Sequence, residues 1–505
     1  MNFSELCTRA GLTCPDGMQD ILPSGICTDT AGLEKGQLFV CLRGTRTDGH
    51  LYLARAKERG ACAAIIEQSF SGEIPEGLPT VTVDDTRDAV ARLYDAWHGN
   101  PSKQLRLVGV TGTNGKTSVS WILYELLSRC GIPCGLIGTV KCASPQGEIA
   151  RDVSGNANMT TPDPEALYPM LARMADEGAE LVIMEVTSHA LAQKRCAPLH
   201  FDLGIFTNVT RDHLDFHGSM EAYFAAKQTL IGMCDLVLLN IDDPRLRGLV
   251  GHTACTAYTC SAGSAGADFY AKDVGMSLGG VRYRLVSTNA HARISCPMSG
   301  QFAVINSLQA AAAALILGID ARKIKEYMPQ ILPVPGRMER VPLGEATGFT
   351  VLIDYAHTPD ALENLLRAVH RLRLRSQRIV LVFGCGGDRD KGKRAAMGQI
   401  ASRMADFVII TADNSRTEST DDIIADILRG VDRRAHYRVI RDRKSAIRHA
   451  IEHARQHDVI LLAGKGHENY EINQNGRQPF DERAIVQEAM EQLRPPRGEK
   501  REQGE

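Results

Sequence analysis

Val108-Gly-Val-Thr-Gly-Thr-Asn-Gly-Lys-Thr117 is the stretch on which the reading of the fold turns. The apolar run Leu105 to Val110 leads into it, and Ser118 to Cys130, with apolar residues every three to four positions, follows it. A continuous apolar run reads as a strand buried on both faces, and the three-to-four spacing reads as a helix. The junction is rich in glycine, which lets backbone N–H groups turn together onto phosphate oxygens, and the helix N-terminus adds the positive end of its dipole. The candidate nucleotide contacts are therefore Gly112, Thr113, Asn114, Gly115, Lys116 and Thr117. Lys116 would reach the terminal phosphates and the Thr117 hydroxyl would meet magnesium. The spacing departs from the usual phosphate loop, with five residues rather than four between Gly109 and Gly115.

Similar apolar runs recur outward from this point: Leu181 to Met184, Leu203 to Phe206, Leu236 to Leu239, Val351 to Ile353, Ile379 to Phe383, Phe407 to Ile410 and Val459 to Ala463. Helical spacing separates several of them, as in Ala361 to Leu374. That alternation predicts an α/β fold of parallel sheets with helices on both faces. The expected form is a doubly wound sheet around the phosphate loop and a Rossmann-like sheet in the C-terminal part. The residues at or just past the strand ends are Thr111-Gly112, Glu185, Thr207-Asn208, Asn240, Asp354, Gly384, Asp413-Asn414 and Gly464-Lys465. Open α/β sheets bind ligands beyond the carboxyl ends of their strands, so this set predicts two ligand-facing edges. Asn100-Pro101-Ser102 and Leu332-Pro-Val-Pro-Gly336 interrupt the chain, which predicts three domains, 1–102, 103–336 and 337–505. No internal repeat stands out.

At 505 residues the chain is too long for one core, and 44% hydrophobic with 23% charged residues is ordinary for a soluble globular protein. A net charge of −2 gives no global signal for nucleic acid or an anionic membrane. Fourteen scattered cysteines form no CxxC pair; the nearest two, Cys130 and Cys134, flank Gly-Ile-Pro. They read as reduced thiols in a cytoplasmic protein. The start, Met-Asn-Phe-Ser-Glu, predicts no signal peptide, and no run approaches the ~20 apolar residues of a membrane span. Arg494 to Glu505 reads as a frayed polar tail.

Thr-Gly-Thr-Asn-Gly-Lys-Thr resembles the variant phosphate loop of the Mur ligases and of their folylpolyglutamate synthetase relatives. The motifs around it resemble those of the MurE branch, in order and over nearly the whole chain. Gly36-Gln-Leu-Phe-Val40 and Gly44-Thr-Arg-Thr-Asp-Gly-His50 resemble the uridine-nucleotide domain. Before them this chain has Asp29-Thr30-Ala31 where the family usually reads Asp-Ser-Arg, so Thr30 would keep a hydroxyl contact while a guanidinium is lost at Ala31. Asn158-Met-Thr-Thr-Pro162, through Thr160 and Thr161, and Met184-Glu-Val-Thr-Ser-His-Ala-Leu-Ala-Gln-Lys-Arg195, through Ser188, Gln193 and Arg195, resemble contacts to the UDP-muramyl substrate.

Glu185, at a strand end, suits magnesium as a hard oxygen ligand. The resemblance implies that His213, in Phe206-Thr-Asn-Val-Thr-Arg-Asp-His-Leu-Asp-Phe-His217, is a ligand of a second magnesium; on general grounds a histidine there would cap or pack. It also implies that Lys227, in Tyr223-Phe-Ala-Ala-Lys-Gln228, carries a carbamate formed with carbon dioxide, whereas by itself it reads as an ordinary helix-surface lysine. The metal set would be Thr117, Glu185, His213 and Lys227, and the catalytic set Lys116, Lys227 and His213. Gly300-Gln-Phe-Ala-Val-Ile-Asn306 matches an adenine-contacting motif through Asn306, with Ala303 in place of an asparagine. Arg337 and Asp354, in Gly336-Arg-Met-Glu-Arg340 and Asp354-Tyr-Ala-His-Thr-Pro-Asp360, would meet the phosphates and ribose of ATP across a domain boundary.

Three loops of the last part would face an incoming amino acid: Gly386-Gly-Asp-Arg-Asp-Lys391, Asp413-Asn-Ser-Arg416 and Gly464-Lys-Gly-His-Glu468. The residues implied are Arg389, Asp413, Asn414, Arg416, Gly464 and Glu468. Branch members that add meso-diaminopimelate usually read Asp-Asn-Pro-Arg in the middle loop, the guanidinium gripping the distal carboxylate that lysine lacks. Ser415 replaces the proline and leaves that loop less constrained. The resemblance thus implies a monomeric, magnesium-dependent, ATP-driven amide ligase joining meso-2,6-diaminopimelate to UDP-N-acetylmuramoyl-L-alanyl-D-glutamate through an acyl phosphate. Its partners would be small molecules, with no nucleic acid and no membrane insertion. An L-lysine-adding enzyme and a folylpolyglutamate synthetase stand as alternatives, and a nucleotide-driven switch as a third.

Overall fold

A computed structural model describes residues 1–44, 47–150, 159–300, 302–343, 348–374 and 376–493. Asn158, the tail from Arg494 and part of the Gly44–His50 motif lie outside the described residues. The chain divides into two compact units, one built mainly from Met1–Ala271 with Ile305–Tyr327, the other mainly from Met328 onward with Lys272–Arg284 and Ala292–Val304.

The first unit holds two sheets. A small parallel one runs Ile26–Cys27, Leu38–Val40, Ala63–Glu67, Thr80–Val83. The larger one has a parallel centre in the order Thr256–Ser261, Cys234–Asn240, Phe201–Phe206, Arg106–Thr111, Leu181–Glu185, Cys134–Ile137. Two short antiparallel strands, Cys142–Ser144 and Gly147–Ile149, close one edge. Leu107, Val108, Val110, Val182, Ile183 and Met184 are fully buried, as strands covered on both faces require. The chain leaves Arg106–Thr111 toward one edge, returns beside it at Leu181–Glu185, then crosses to its other side at Phe201–Phe206. This reversal is a topological switch point, the place where open α/β sheets bind their ligands, and it falls at the strand that carries the phosphate loop.

The second unit has a parallel sheet in the order Thr350–Asp354, Val459–Ala463, Ile379–Phe383, Phe407–Ile410, Tyr437–Val439, with Glu339–Arg340 antiparallel at its edge. Helices Pro359–Leu372 and Gly392–Met404 pack on one face with Thr420–Leu428, and Arg443–Glu452 packs with Glu482–Leu493 on the other. All eight apolar runs expected to be strands are strands, and the two expected helices form at Lys116–Arg129 and Pro359–Leu372. The fold is α/β, as expected. All fourteen cysteines are free thiols. Among the described residues no helix is long and apolar enough to cross a membrane.

Candidate functional site

The phosphate loop is built by its neighbour strand. Thr113 N–H donates to Asn208 O at 2.8 Å and Asn114 N–H to Asn208 Oδ1 at 3.0 Å. Thr207 Oγ1 and Asn208 Nδ2 donate back to Asn114 O at 2.6 and 3.0 Å. Asn240, at the end of the next strand, donates to Thr207 O at 2.7 Å and holds that brace in place. Gly112 lies at φ +144 and a Cβ there would collide with the Thr207 hydroxyl, so this turn needs glycine. Gly115, at φ +88, precedes the helix Lys116–Arg129, and a Cβ on it would stand 2.7 Å from Asn306 Oδ1. Asn306 is thus packed against the loop.

Two lysines converge on this turn. Lys116 Nζ donates to Gly112 O and Thr113 O, each at 2.9 Å, and Lys227 Nζ donates to the same Gly112 O at 2.8 Å. Lys227 comes from the helix Met220–Gln228 and is 1% exposed, so the surface-lysine reading is corrected. Burial, and then the nearby Lys116 ammonium, lower its pKa from 10.5 to about 6. Tyr223, one helical turn earlier, places its hydroxyl 2.9 Å from Thr113 Oγ1 and its ring under the Lys227 amine.

Glu185 ends its strand beside the loop. Its Oε2 accepts from Thr117 Oγ1 at 2.9 Å and Thr139 Oγ1 at 3.1 Å, and its Oε1 from Thr139 N–H at 2.7 Å. A carboxylate flanked by two hydroxyls is a set of hard oxygen donors, which fits a magnesium ion that completes its shell with phosphate oxygens and water. Among the described residues no three His, Cys, Asp or Glu side chains cluster as an all-protein metal cage. Thr160 bonds Thr139 at 2.9 Å, and Thr161 Oγ1 donates to Glu185 O at 2.8 Å, so both threonines buttress the Glu185 corner.

His213 has left-handed backbone, φ 51, and its ring lies 4.7 Å from His189 and 6.2 Å from Tyr223. His217 stacks edge-on with His189 and brings Nε2 to 3.0 Å from the buried Ser188 hydroxyl. Sequence reasoning gave no role to Thr139, Tyr223, His189 or His217. Thr139 was within reach of the strand-end argument, but Cys134-Gly-Leu-Ile137 is too short and glycine-bearing to be read as a strand.

A cleft of about 1290 Å³ opens in the same unit, and Thr30, Gln193 and Arg195 line it. Arg195 is 7% exposed and held on several sides: Nε and Nη2 donate to Gln193 Oε1 at 3.0 and 2.6 Å, Nη1 to Thr161 O at 2.8 Å, and Asp163 lies at 2.9 Å. Ala31 also lines the cleft, as do Arg55, Arg87 and Arg173, so positive charge is present although position 31 supplies none.

In the second unit, Asp354 accepts the N–H groups of Met338 and Ala356 at 2.8 and 2.9 Å, and burial raises its carboxyl pKa. Arg337 lies over the Tyr355 ring. The three loops expected at an amino acid come together. Asn414 Nδ2 donates to Glu468 Oε2 at 2.8 Å, and Asn414 Oδ1 accepts from Lys465 Nζ at 3.0 Å and Ile472 N–H at 2.9 Å. Arg416 Nη1 donates to Gly387 O at 2.7 Å. A Cβ on Gly464, at φ +117, would stand 2.6 Å from Asp413 Oδ2. Burial alone would raise the Asp413 carboxyl pKa, but Arg443, Lys465 and the Asn414 amide outweigh it, so Asp413 holds its negative charge. Burial raises Glu468. Arg389 is exposed, and Ser415 is buried beneath the turn.

Three family models match in chain order: "Mur ligase family, catalytic domain" over 23–98, "Mur ligase middle domain" over 110–314 and "Mur ligase, glutamate ligase domain" over 336–466. A UDP-N-acetylmuramoyl-L-alanyl-D-glutamate--2,6-diaminopimelate ligase of Syntrophomonas wolfei is 38% identical over 500 residues, covering 97% of this chain and 99% of that protein. The ligase of the same name from Bacteroides fragilis is 40% identical over 493 residues, with the same coverage. A solved structure of a ligase of that name superposes with a TM-score of 0.70 at 31% identity, covering 97% of this chain and 99% of that one. With the phosphate loop, the Glu185 corner and the joined C-terminal loops already in place, these matches settle the kinship: the chain belongs to the Mur ligase family.

Proposed function

We propose that this protein joins meso-2,6-diaminopimelate to UDP-N-acetylmuramoyl-L-alanyl-D-glutamate at the expense of ATP, the reaction for which its relatives from S. wolfei and B. fragilis are named. The observation that carries the reading is the phosphate loop with two lysines on one carbonyl, Gly112 O, beside the Thr117–Glu185 pair. Phosphoryl transfer asks a protein chiefly to position groups and neutralise charge, and those residues do both.

The side-chain carboxylate of the D-glutamyl residue attacks the γ-phosphorus of ATP, the bond to the β–γ bridging oxygen breaks, and ADP leaves an acyl phosphate. The neutral amine of diaminopimelate then attacks the acyl carbon, phosphate departs, and the amine gives up a proton as the amide forms. Gly112 to Thr117 cradle the triphosphate, with Lys116 on its terminal oxygens, Asn306 toward the base, and Arg337 and Asp354 on phosphate and ribose. Thr117 and Glu185 would hold one magnesium and His213 a second, with a carbamate on Lys227 helping to position metal and phosphate; the metals would supply charge neutralisation at the phosphates. The neutral amine of Lys227 is the form that combines with carbon dioxide.

Thr30, Thr160, Thr161, Ser188, Gln193 and Arg195 serve the UDP-linked substrate, Thr160 and Thr161 partly by buttressing the Glu185 corner and Gln193 and Arg195 as part of the cleft wall. Arg389, Asp413, Asn414, Arg416, Gly464 and Glu468 receive the diamino acid, whose distal carboxylate meets Arg416. The three matched ranges support a division into domains at 1–102, 103–336 and 337–505. We assign the reaction to the cytoplasm and to a monomer. The test is phosphate release with each substrate omitted in turn: release that needs ATP, the UDP-linked dipeptide and the diamino acid together, and stops on chelation of magnesium, is expected. Release from ATP alone at the full rate would overturn the ligase reading.

A further inference from the structure

The loops that carry Arg389 and Arg416 follow neighbouring parallel strands, Ile379–Phe383 and Phe407–Ile410. Local backbone preference does not hold them in place. Asp388 and Arg416 both lie in left-handed conformation, φ 52 and 53, which residues with a Cβ adopt only when their surroundings enforce it. Ser415, between Asn414 and Arg416, leaves its own φ free.

Side chains enforce the geometry instead. Arg394, in the first turn of Gly392–Met404, has no exposed surface. Its Nη1 and Nη2 donate to Glu418 Oε2 and Oε1, each at 3.0 Å, while Nη1 also meets Asp426 at 2.9 Å and Nη2 meets Gly386 O at 3.2 Å. A buried guanidinium is stable only when opposing charge and acceptors surround it, and its planar fork fixes the direction of the carboxylate it grips. Glu418, so aimed, accepts Asp388 N–H at 2.6 Å on Oε1. Asp388 in turn accepts from Thr417 N–H at 3.1 Å and from Thr417 Oγ1 at 2.8 Å. Gly387 N–H donates to Asn414 O at 2.9 Å. The Gly386–Lys391 turn and the Asn414–Glu418 turn are thereby one clasped unit, and Arg416 is strung between them through its bond to Gly387 O.

We propose that Glu418, held by Arg394, is a positioning residue that sets selectivity for the incoming amino acid, by clasping the Asp388 turn to the Arg416 turn and so fixing the aim of the Arg416 guanidinium. The inference rests on the reading of these loops as the diamino-acid site. A two-point grip on a distal carboxylate fails when the fork is misdirected, whereas an amino acid without that carboxylate loses nothing when it moves.

The test uses the full chain carrying Glu418→Gln, which keeps the shape and removes the charge. Measured are kcat/KM for meso-diaminopimelate and for L-lysine, and KM for ATP and for the UDP-linked dipeptide. Loss of a charge-assisted grip costs roughly 10- to 100-fold in kcat/KM for diaminopimelate, with the lysine rate and the other two KM values within about twofold of wild type. Thr417→Val removes the hydroxyl bond to Asp388 without touching Arg394 and should move the diaminopimelate-to-lysine ratio the same way; it decides the matter if Glu418→Gln does not fold. A wild-type ratio in the folded variants overturns the proposal while leaving the function reading intact. A wild-type enzyme that accepts neither amino acid overturns both.

Discussion

Lys227 shares its acceptor with Lys116: both amines donate to Gly112 O, from 2.8 and 2.9 Å. Two ammonium groups on one carbonyl repel, and only one of them can keep its proton cheaply. Burial and the Lys116 charge assign the neutral form to Lys227. A neutral lysine held against a phosphate loop is a nucleophile for carbon dioxide, and the product turns a potential cation into an anion at the same place.

Carbon-13 bicarbonate should therefore give a carbamate resonance in the wild-type protein that disappears in Lys227→Ala, whose kcat falls by about 10²- to 10³-fold. In buffer free of carbon dioxide the free amine has a pH signature. Its folded pKa, about 6, lies below its unfolded value of 10.5, so across that window the unfolded chain binds a proton the folded chain does not. Stability of the wild type relative to Lys227→Met then rises with pH between those values, and the full penalty applies below pH 6. A pH-independent difference in denaturation midpoints would show that Lys227 stays charged.

Ala31 leaves the large cleft without a guanidinium at that corner, while Arg87 lines the same cleft from the first turn of Thr86–Trp97. Arg195 is already held by Gln193, Asp163 and Thr161, whereas among the described residues Arg87 uses only Nη2 on a protein acceptor, Arg43 O, which leaves Arg87 with donors for a diphosphate. Arg87→Ala should raise KM for the UDP-linked dipeptide by roughly 10-fold, the worth of one charge-assisted bond, with KM for ATP and for the amino acid unchanged. An unchanged nucleotide KM in steady-state titrations would remove Arg87 from the site.

Arg443 stands fully buried between two strand ends. Its Nε donates to Glu482 at 2.8 Å, Nη2 to Ala463 O at 2.9 Å and Nη1 to Ala412 O at 3.2 Å. Arg443→Met strands the equally buried Glu482 and two carbonyls, a loss of about 3–5 kcal/mol. The double variant Arg443→Met with Glu482→Leu should recover a large part of it, because Glu482 is no longer stranded, while Asp413 keeps Lys465 as a counter-charge. Urea denaturation of both variants checks this; equal losses in the two would mean that the carboxylate is not the cause.

The strands were legible because parallel strands covered on both faces read as unbroken apolar runs, and Arg106–Thr111 and Ile379–Phe383 are plain examples. Their ends were legible for the same reason, which is how Glu185 and Asp413 were found. What the sequence hides is pairing at a distance. Nothing in Tyr223-Phe-Ala-Ala-Lys-Gln says that Lys227 is buried against Gly112, more than a hundred residues earlier, because a short helix shows its buried face only once its neighbour is known. Arg394 and Glu418 look like ordinary surface charges until the turns after two adjacent strands bring them together. The small first sheet escaped notice because strands such as Ile26–Cys27 are too short to show a period.

The most direct measurement is mass analysis of the product formed from ATP, magnesium and UDP-N-acetylmuramoyl-L-alanyl-D-glutamate with meso-diaminopimelate and L-lysine competing in one tube. The account predicts a nucleotide tripeptide ending in diaminopimelate with little lysine product. A mixture dominated by the lysine adduct would contradict the role given to Arg416, and no adduct of either would contradict the reaction itself.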